Sequence, residues 1–402
     1  MSRTPGTPRL LRAINDRTAL GLLLEQGPLS RVQLGVLTGL SKPTASQLLG
    51  RLEEAGLVVQ AGTSAGGRGP NAVLYAVNPS AAHVASMDVV PGRIAVAVAD
   101  ITAQVIAELE YRTGADTDPL PDVTAALAEA TAQAGLAVSD LAALVIGLPG
   151  SYDQNTDTLR HPDDELTAWA RPGLLGRIRA ALGISVEAEN DVNLAGIAER
   201  HRGGLGNPSS FALLWVADGI GLAIDLGGSL HRGATGGAGE IGYMPIPGRG
   251  ATVHGEPVRD FQDLAGGDAV LELAASHGID ASTAAEAVER GTGEFLDALA
   301  ARLATGLAPI AAVLDPELVV LTGSTCRAGG DALAARVQRH LWQVLPLRPA
   351  VTATRVDGNP VLLGALDRAL ETAREAVFGA QDLAQRPITA APTTQRAARS
   401  PQ

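Results

Sequence analysis

Residues 27–58 read GPLSRVQLGVLTGLSKPTASQLLGRLEEAGLV, and their hydroxyl, glycine and leucine positions dictate two short helices meeting at a tight turn. Ser30 can accept from the Gln33 amide while Gln33 reaches back to the Ser30 amide, a capping box that opens the first helix. Thr38-Gly39-Leu40 supplies the turn. Ser41 caps the second helix, and Pro43 falls in its first turn, where an amide hydrogen has no intrahelical partner to lose. Within that helix Ala45, Leu48, Leu49, Leu52 and Ala55 recur at helical spacing, a stripe that has to be buried. The opposite face is left to Lys42, Thr44, Ser46, Gln47 and Arg51.

Working outward, residues 9–25 carry another helical pattern on the N-terminal side. On the other side Gly56 ends the helix, Leu57–Val59 reads as a short strand, AGTSAGGRGP (61–70) as a turn and NAVLYAV (71–77) as a returning strand. The expectation is a winged helix-turn-helix over residues 1–79. Charge supports that division: the net charge of −12 conceals a head of +4 over residues 1–80, which contains Lys42, the chain's single lysine, and a remainder of −16. A basic head on an acidic body directs phosphate contacts to the head. Arg31, Ser41, Lys42, Thr44, Ser46, Gln47 and Arg51 are short donors and long cations of the kind that reach phosphates and base edges from a major-groove helix. The alternative is a solvated helical bundle whose polar face carries no function. Arg68, set among glycines, suits insertion into a narrow minor groove; a bare wing tip is the other reading.

Beyond the head, AHVASMDVV, the turn Pro91-Gly92, RIAVAVAD and QVIAELEYR form a succession of antiparallel strands, followed by a helix near 121–135 and the wholly apolar strand LAALVIGLPG (141–150). The plan recurs in FALLWVADGIGLAIDLGGSLHRG (211–233), a helix over 293–314 and LVVLTGS (318–324), which implies two similar α/β lobes around a cleft. No uncharged apolar run reaches the roughly 18 residues a membrane helix needs, and the first residues lack a secretion signal. A cytoplasmic protein without membrane contact is expected. One cysteine, Cys326, excludes an internal disulfide or a multi-thiolate zinc site and reads as an apolar filler at the turn after a strand. The stretch from 378 to 402, rich in Ala, Pro, Thr and Gln, reads as a disordered tail.

The motifs VIGLPG (145–150), ENDVNLAGIAER (189–200) and GATGGAGEIGYMPI (233–246), in this order behind such a head, resemble the ROK family of repressors, open reading frames and sugar kinases. The resemblance covers about residues 10–375. It implies the two-lobed actin-like ATPase fold, with lobes at 80–200 and 201–377. It also implies that Asp191 matches the base that takes a sugar hydroxyl's proton, and that Asn190, Asp191 and Glu240 meet sugar hydroxyls. Gly147 and Gly150 would let backbone approach the ring. For Asp191, capping of the following helix is the structural alternative.

Other family features are altered. The first phosphate loop, an aspartate before a Gly-Gly-Thr turn, reads Asp88-Val89-Val90-Pro91-Gly92-Arg93; the second, Gly-Thr-Gly-Ile-Gly, reads Ala217-Asp218-Gly219-Ile220-Gly221. Pro91 has no amide hydrogen, and Asp218 puts a carboxylate where a phosphate would lie. Gly323-Ser324 replaces a Gly-Gly pair. The family's zinc site, a histidine and three cysteines, is matched by Tyr243 and by no cysteine; His254 alone makes no zinc site. Gln262 aligns loosely with a sugar-contacting glutamate, and Tyr243 still offers a hydroxyl. The expectation is a DNA-binding regulator, a repressor of ROK type, with a sugar effector between the lobes, no metal and no ATP–Mg²⁺ cofactor, acting as a homodimer or dimer of dimers on a near-palindromic double-stranded operator. An active sugar kinase with a DNA-binding head, and a regulator that has lost its small-molecule ligand, are the alternatives.

Overall fold

The computed structural model describes residues 8–64, 72–114, 118–153, 155–160, 164–246, 252–253 and 256–379. The chain divides into two compact units, Met1–Ala81 with Thr372–Gln402, and Ala82–Glu371.

In the first unit α1 (Pro8–Gln26), β1 (Leu29–Ser30), α2 (Arg31–Thr38), α3 (Lys42–Glu54), β2 (Val58–Ser64) and β3 (Ala72–Val77) follow one another, and the strands pair in the order β1-β3-β2. Local chemistry explains each junction. Ser30 and Gln33 form the reciprocal capping box, Gly39 closes α2 in the left-handed region at φ 70°, and Ser41 accepts from the Thr44 amide to open α3. Leu34, Ala45, Leu48, Leu49 and Leu52 are buried with Leu20 and Leu23 of α1, so the apolar stripe forms the core of the head. The wing strand β2 is longer than the sequence suggests: it runs to Ser64 and pairs with β3 across a bulge between Gln60 and Thr63. Arg68 lies outside the described residues.

The second unit holds β4 (His83–Val90), β5 (Arg93–Asp100), β6 (Val105–Arg112), α4 (Pro119–Gln133), β7 (Leu141–Leu148), β8 (Ser151–Asp153), β9 (Thr158–Arg160), α5 (Leu174–Leu182), β10 (Ser185–Asn190) and α6 (Asp191–Arg202). It continues with β11 (Ser210–Val216), β12 (Ile220–Leu226), β13 (Ser229–Leu230), β14 (Thr252–Val253), β15 (Glu256–Pro257), α7 (Phe261–Ala265), α8 (Gly267–Ser276), α9 (Ala284–Arg290), α10 (Gly293–Leu314), β16 (Leu318–Thr322), α11 (Gly323–Val344), β17 (Ala350–Ala353) and α12 (Pro360–Gly379). Two mixed sheets, β10-β7-β4-β5-β6 and β13-β12-β11-β16-β17, share one plan. In each, an antiparallel meander continues into two parallel strands, β4 with β7 and β10, β11 with β16 and β17. The duplication expected from the sequence is therefore present.

One sequence reading needs correction. Cys326 is buried in the first turn of α11 and not in a turn outside regular structure. Among the described residues one helix, α10, is long and apolar enough by length and composition to cross a membrane. Its Phe295, Leu299, Leu303 and Leu307 lie in the core against the second sheet, so these residues serve packing.

The last helix of the body, α12, is anchored at its start and clamped along its length. Asn359 accepts from the amides of Val361 and Leu362, and its Nδ2 donates to Asp88 Oδ2 at 2.7 Å. Gly147 of β7 leaves space for Val361 and Leu194, where a Cβ would come within 2.6 Å and 2.8 Å of their side chains. Gly364 lies directly on the Leu194 carbonyl oxygen of α6. From Thr372 onward α12 is grouped with the unit that contains the head. In a free helix Gly→Ala gains about 1 kcal/mol. At position 364 the methyl has no room, and Gly364→Ala is expected to destabilise the body by about 1–3 kcal/mol in denaturant unfolding; a stabilised variant would contradict the contact.

Candidate functional site

The exposed side of α3 presents Ser41, Lys42, Thr44 and Gln47, with Ser46 half-buried. Two of the hydroxyls are engaged locally: Ser41 and Thr44 share a hydrogen bond at 2.8 Å, and Ser46 donates to the Lys42 carbonyl at 2.9 Å. Arg31 is exposed on α2 and donates to the Tyr75 hydroxyl at 3.0 Å. Arg51 departs from expectation. Its guanidinium pairs with the buried Asp16 of α1 at 2.7 Å, so it ties two helices together and is not a freely presented cation. Burial pushes the Asp16 carboxyl upward, and Arg51 counters that shift.

In the body a cavity of about 230 Å³ is bounded by the end of β7, the start of α6, the β11–β12 turn and the loop ending at Glu240. It lies where the carboxyl ends of parallel strands meet, the usual place for a ligand crevice in open α/β sheets. Strand register puts Asp88 and Glu189 on either side of Gly147. Asn190 then turns the chain into α6: its Oδ1 accepts from the Asn193 amide at 2.9 Å, while Nδ2 donates to Gly150 O at 3.1 Å and to Asp191 Oδ1 at 2.9 Å. The same Asp191 oxygen accepts from the Val192 amide at 2.8 Å. Behind it, Glu189 accepts from the Asn190 amide and from Asn193 Nδ2, both at 2.9 Å, and pairs with Arg232.

Gly150, Asn190, Asp191 and Glu240 therefore come together around one cavity. Asn190 is also a helix cap, so its amide is occupied by protein partners. The loop carrying Glu240 is held by close backbone contacts. Gly236 (φ 80°) presses on the Tyr152 carbonyl, and Gly239 (φ 102°) presses on Leu222 and accepts from its amide at 3.0 Å. A Cβ at either glycine would overlap a carbonyl oxygen.

Tyr243, Gln262 and Asp218 do not join them. Tyr243 is 63% exposed, and it does not line the cavity. Gln262 is engaged by backbone: its Oε1 accepts from the Ile220 amide at 3.0 Å and its Nε2 donates to Asp218 O at 2.7 Å, which pins the β11–β12 turn. Asp218 is exposed on that turn and contributes no lining surface, so water screens the repulsion expected of its carboxylate. What distinguishes this turn is instead the Ile220 amide, already bonded to Gln262. At the other altered loop, Val90 pairs with Arg93 and Pro91-Gly92 forms a two-residue hairpin turn with Gly92 at φ 73°. Asp88 is buried beneath it; burial raises its pKa, against the Asn359 hydrogen bond and the charge of Arg93.

The segment to which the resemblance assigns zinc ligands falls partly outside the described residues, His254 included. Among the described residues no group of three His, Cys, Asp or Glu side chains is placed to hold a metal ion. Trp215 lines the cavity and was not singled out from the sequence. Aromatic residues make up only 3% of the chain, and a tryptophan within the aliphatic run FALLWV was the available signal.

Asp191 carries the site's largest electrostatic perturbation. Burial lifts its pKa to about 7; the Val192 amide opposes the shift, and the negative charges of Asp88 and Glu240 reinforce it. A carboxyl with a raised folded-state pKa costs stability as it ionises, starting above its unfolded value and reaching the full cost above pH 7. Asp191→Asn removes that cost and keeps an Oδ1 acceptor. The melting temperature of the variant should exceed that of the parent by a margin that widens from pH 4 to pH 7 and is constant above about pH 8. A margin independent of pH would contradict the assignment.

Comparison with known proteins agrees with this layout. The ROK family model matches residues 84–371 and the MarR family model residues 13–69. A putative xylose repressor of Caldicellulosiruptor sp. strain Rt8B.4 is 25% identical over 363 residues, covering 84% of this chain and 90% of the relative. The bifunctional enzyme NanE/NanK of Brucella melitensis is 33% identical over 201 residues, 48% of this chain and 37% of that enzyme. In fold, the chain is similar to a ROK family transcriptional regulator described as a homolog of the E. coli MLC protein, with a TM-score of 0.71 at 19% identity over 92% of this chain and 99% of that one. It is also similar to a ROK family glucokinase from Streptomyces griseus, with a TM-score of 0.58 at 22% identity over 72% of this chain and 99% of that one. With its body matched from one sheet through the other, the chain belongs to the ROK family.

Proposed function

We propose that this protein is a sequence-specific DNA-binding transcriptional regulator, a repressor, whose kinase-like body senses a sugar or sugar-derived effector and does not phosphorylate it. The observation that carries the reading is the state of the two phosphate turns. One contains Pro91, which has no amide hydrogen, and in the other the Ile220 amide is bonded to Gln262. Phosphoryl transfer needs backbone amides free to cradle phosphate oxygens. The hydroxyl-binding side is kept, with Asp191 and Glu240 facing one cavity. The head supplies the other half, a helix whose exposed side carries Lys42, Thr44 and Gln47. The printed names of relatives, xylose repressors among them, are consistent with this division.

The effector is expected to bind with different affinity to two arrangements of the body and so to change affinity for DNA. In this reading α12 is the carrier, because it starts at the Asn359–Asp88 bond beside the cleft and runs on into the unit that contains the head. A two-fold dimer on a near-palindromic operator is the geometric expectation for such a head. An active kinase is the second reading, favoured by Asp191, whose pKa of about 7 suits a general base.

Two measurements test the proposal. In anisotropy titrations with a duplex selected in vitro from a random pool, Lys42→Ala should weaken binding about tenfold and lower the salt slope by about 1; unchanged affinity would remove α3 from the interface. In a thermal-shift panel of sugars, sugar phosphates and ATP with Mg²⁺, an unphosphorylated sugar should raise the melting temperature and ATP should not. A clear ATP shift enhanced by sugar would put the kinase reading in its place.

A further inference from the structure

A second cavity of about 220 Å³ lies in the body along the half of α6 remote from Asp191. Its walls are the end of α6, the β12–β13 turn with Ser229, and α12 with Glu371, and Arg200, Arg232 and Arg368 bring three guanidinium groups to it. Their situations differ. Arg200 is closed off by its own partners: it pairs with both oxygens of the buried Asp225, donates to Asn207 and to the Pro208 carbonyl, and lies 4.9 Å from the centre of the Phe211 ring. Arg232 and Arg368 are instead held from one side. Arg232 Nε pairs with Glu189, and Arg368 Nε donates to Glu187 at 3.0 Å. Glu187 and Glu189 are alternate residues of β10, so their side chains leave one face of the strand about 7 Å apart. The two guanidinium groups are thereby set side by side on one cavity. Among the described residues the hydrogen bonds of Arg232 use Nε alone, and those of Arg368 use Nε and Nη1, the latter to Glu371, which is exposed on the same helix. A guanidinium carries five N–H donors in a fixed fork, so both arginines retain donor capacity toward the space between them.

We propose that this cavity is a second, regulatory binding site for a small carboxylate or phosphate anion, gripped between Arg232 and Arg368 with the Ser229 hydroxyl completing the contact. Guanidinium forks match the paired oxygens of carboxylates and phosphates, and such charge-assisted bonds are the strong ones. Glu371 is the competitor at the rim. Its pair with Arg368 joins exposed residues three apart on one helix, a bond of little worth that an incoming anion can replace. The consequence for the cleft runs through Arg232. Its partner Glu189 accepts from the Asn190 amide and from Asn193 Nδ2, and Asn190 in turn donates to Asp191. An anion that shares the charge of Arg232 loosens its hold on Glu189, and that chain of bonds ends on Asn190 and Asp191, which line the cleft. The site stands on its own geometry; the coupling rests on the effector-sensing reading above.

The test is calorimetric titration of the full-length protein with inorganic phosphate, oxalate and citrate, at an ionic strength held constant with potassium chloride. At least one of the three should bind saturably, and the comparison shows whether the site takes phosphate or carboxylate oxygens. Arg368→Gln should weaken that binding about tenfold or more, as loss of a charge-assisted fork does. Glu371→Gln, which removes the competing carboxylate, should strengthen it about threefold. If Arg368→Gln does not fold, the direction of the Glu371→Gln change decides alone. A free sugar that stabilises the protein is then titrated with and without saturating anion. Its dissociation constant should change by about threefold or more, and the anion's constant should change by the same factor when sugar is saturating. No saturable binding of any of the three anions, binding as tight in Arg368→Gln as in the parent, or binding weakened in Glu371→Gln would overturn the site. An anion that binds there and leaves the sugar's affinity unaltered would overturn the coupling. If no sugar binds, the sensing reading fails and the coupling with it, while the anion titrations still decide the site.

Discussion

The side-chain amide of Asn190 is the point on which the cleft depends. A single residue accepts from the Asn193 amide to begin α6, donates to the Gly150 carbonyl at the end of β7, and donates to the Asp191 carboxyl. The three bonds fix a strand end, a helix start and the candidate reactive carboxyl relative to one another. A helix N-terminus with an unsatisfied amide and a loose strand end would each cost about 1 kcal/mol or more, and here one amide serves both. Glu189 and Asn193 extend the arrangement inward and Arg232 extends it to the β13 side, so the position of Asp191 is set by buried partners and not by its own loop.

From that fixed point the two halves of a sugar kinase's chemistry separate. The acceptors for hydroxyl groups stay in the cavity, whereas the amides for phosphate oxygens are either absent at Pro91 or bonded to Gln262. In the proposed reading, a kinase fold with these features retains recognition and gives up turnover. The remaining element is α12, rooted beside Asp88 by Asn359, seated on α6 at Gly364 and tied to the end of α6 by the Arg202–Asp367 ion pair.

Legibility in the sequence followed the range of the interactions. The head was readable almost residue by residue, because Ser30 with Gln33, Gly39, and Ser41 with Thr44 act within one turn of helix. The meander of β4, β5 and β6 and the apolar β7 were readable from alternation and run length. The contacts that the sequence does not reveal involve distant partners. Arg51 looked like a free cation because Asp16 is 35 residues away, and Gln262 looked like a sugar ligand because the Ile220 amide that occupies it is 42 residues away. Asp218 and Tyr243 carry suitable groups but are exposed, and exposure cannot be read from a motif. Trp215 was overlooked because a β11 strand with five buried neighbours reads as core, and only the third dimension opens that position to a cavity.

The central claim is that a sugar alone, without nucleotide, changes the affinity of this protein for DNA. It is tested most directly by titrating the selected duplex with protein at increasing concentrations of the free sugar that stabilises it, with and without ATP–Mg²⁺, while ADP release is followed in the same sample. The account predicts that the sugar shifts the DNA dissociation constant to a saturating value, that ATP–Mg²⁺ leaves the curve in place, and that no ADP appears. Sugar-dependent ADP release together with DNA affinity indifferent to sugar would contradict it and would make the body a working kinase.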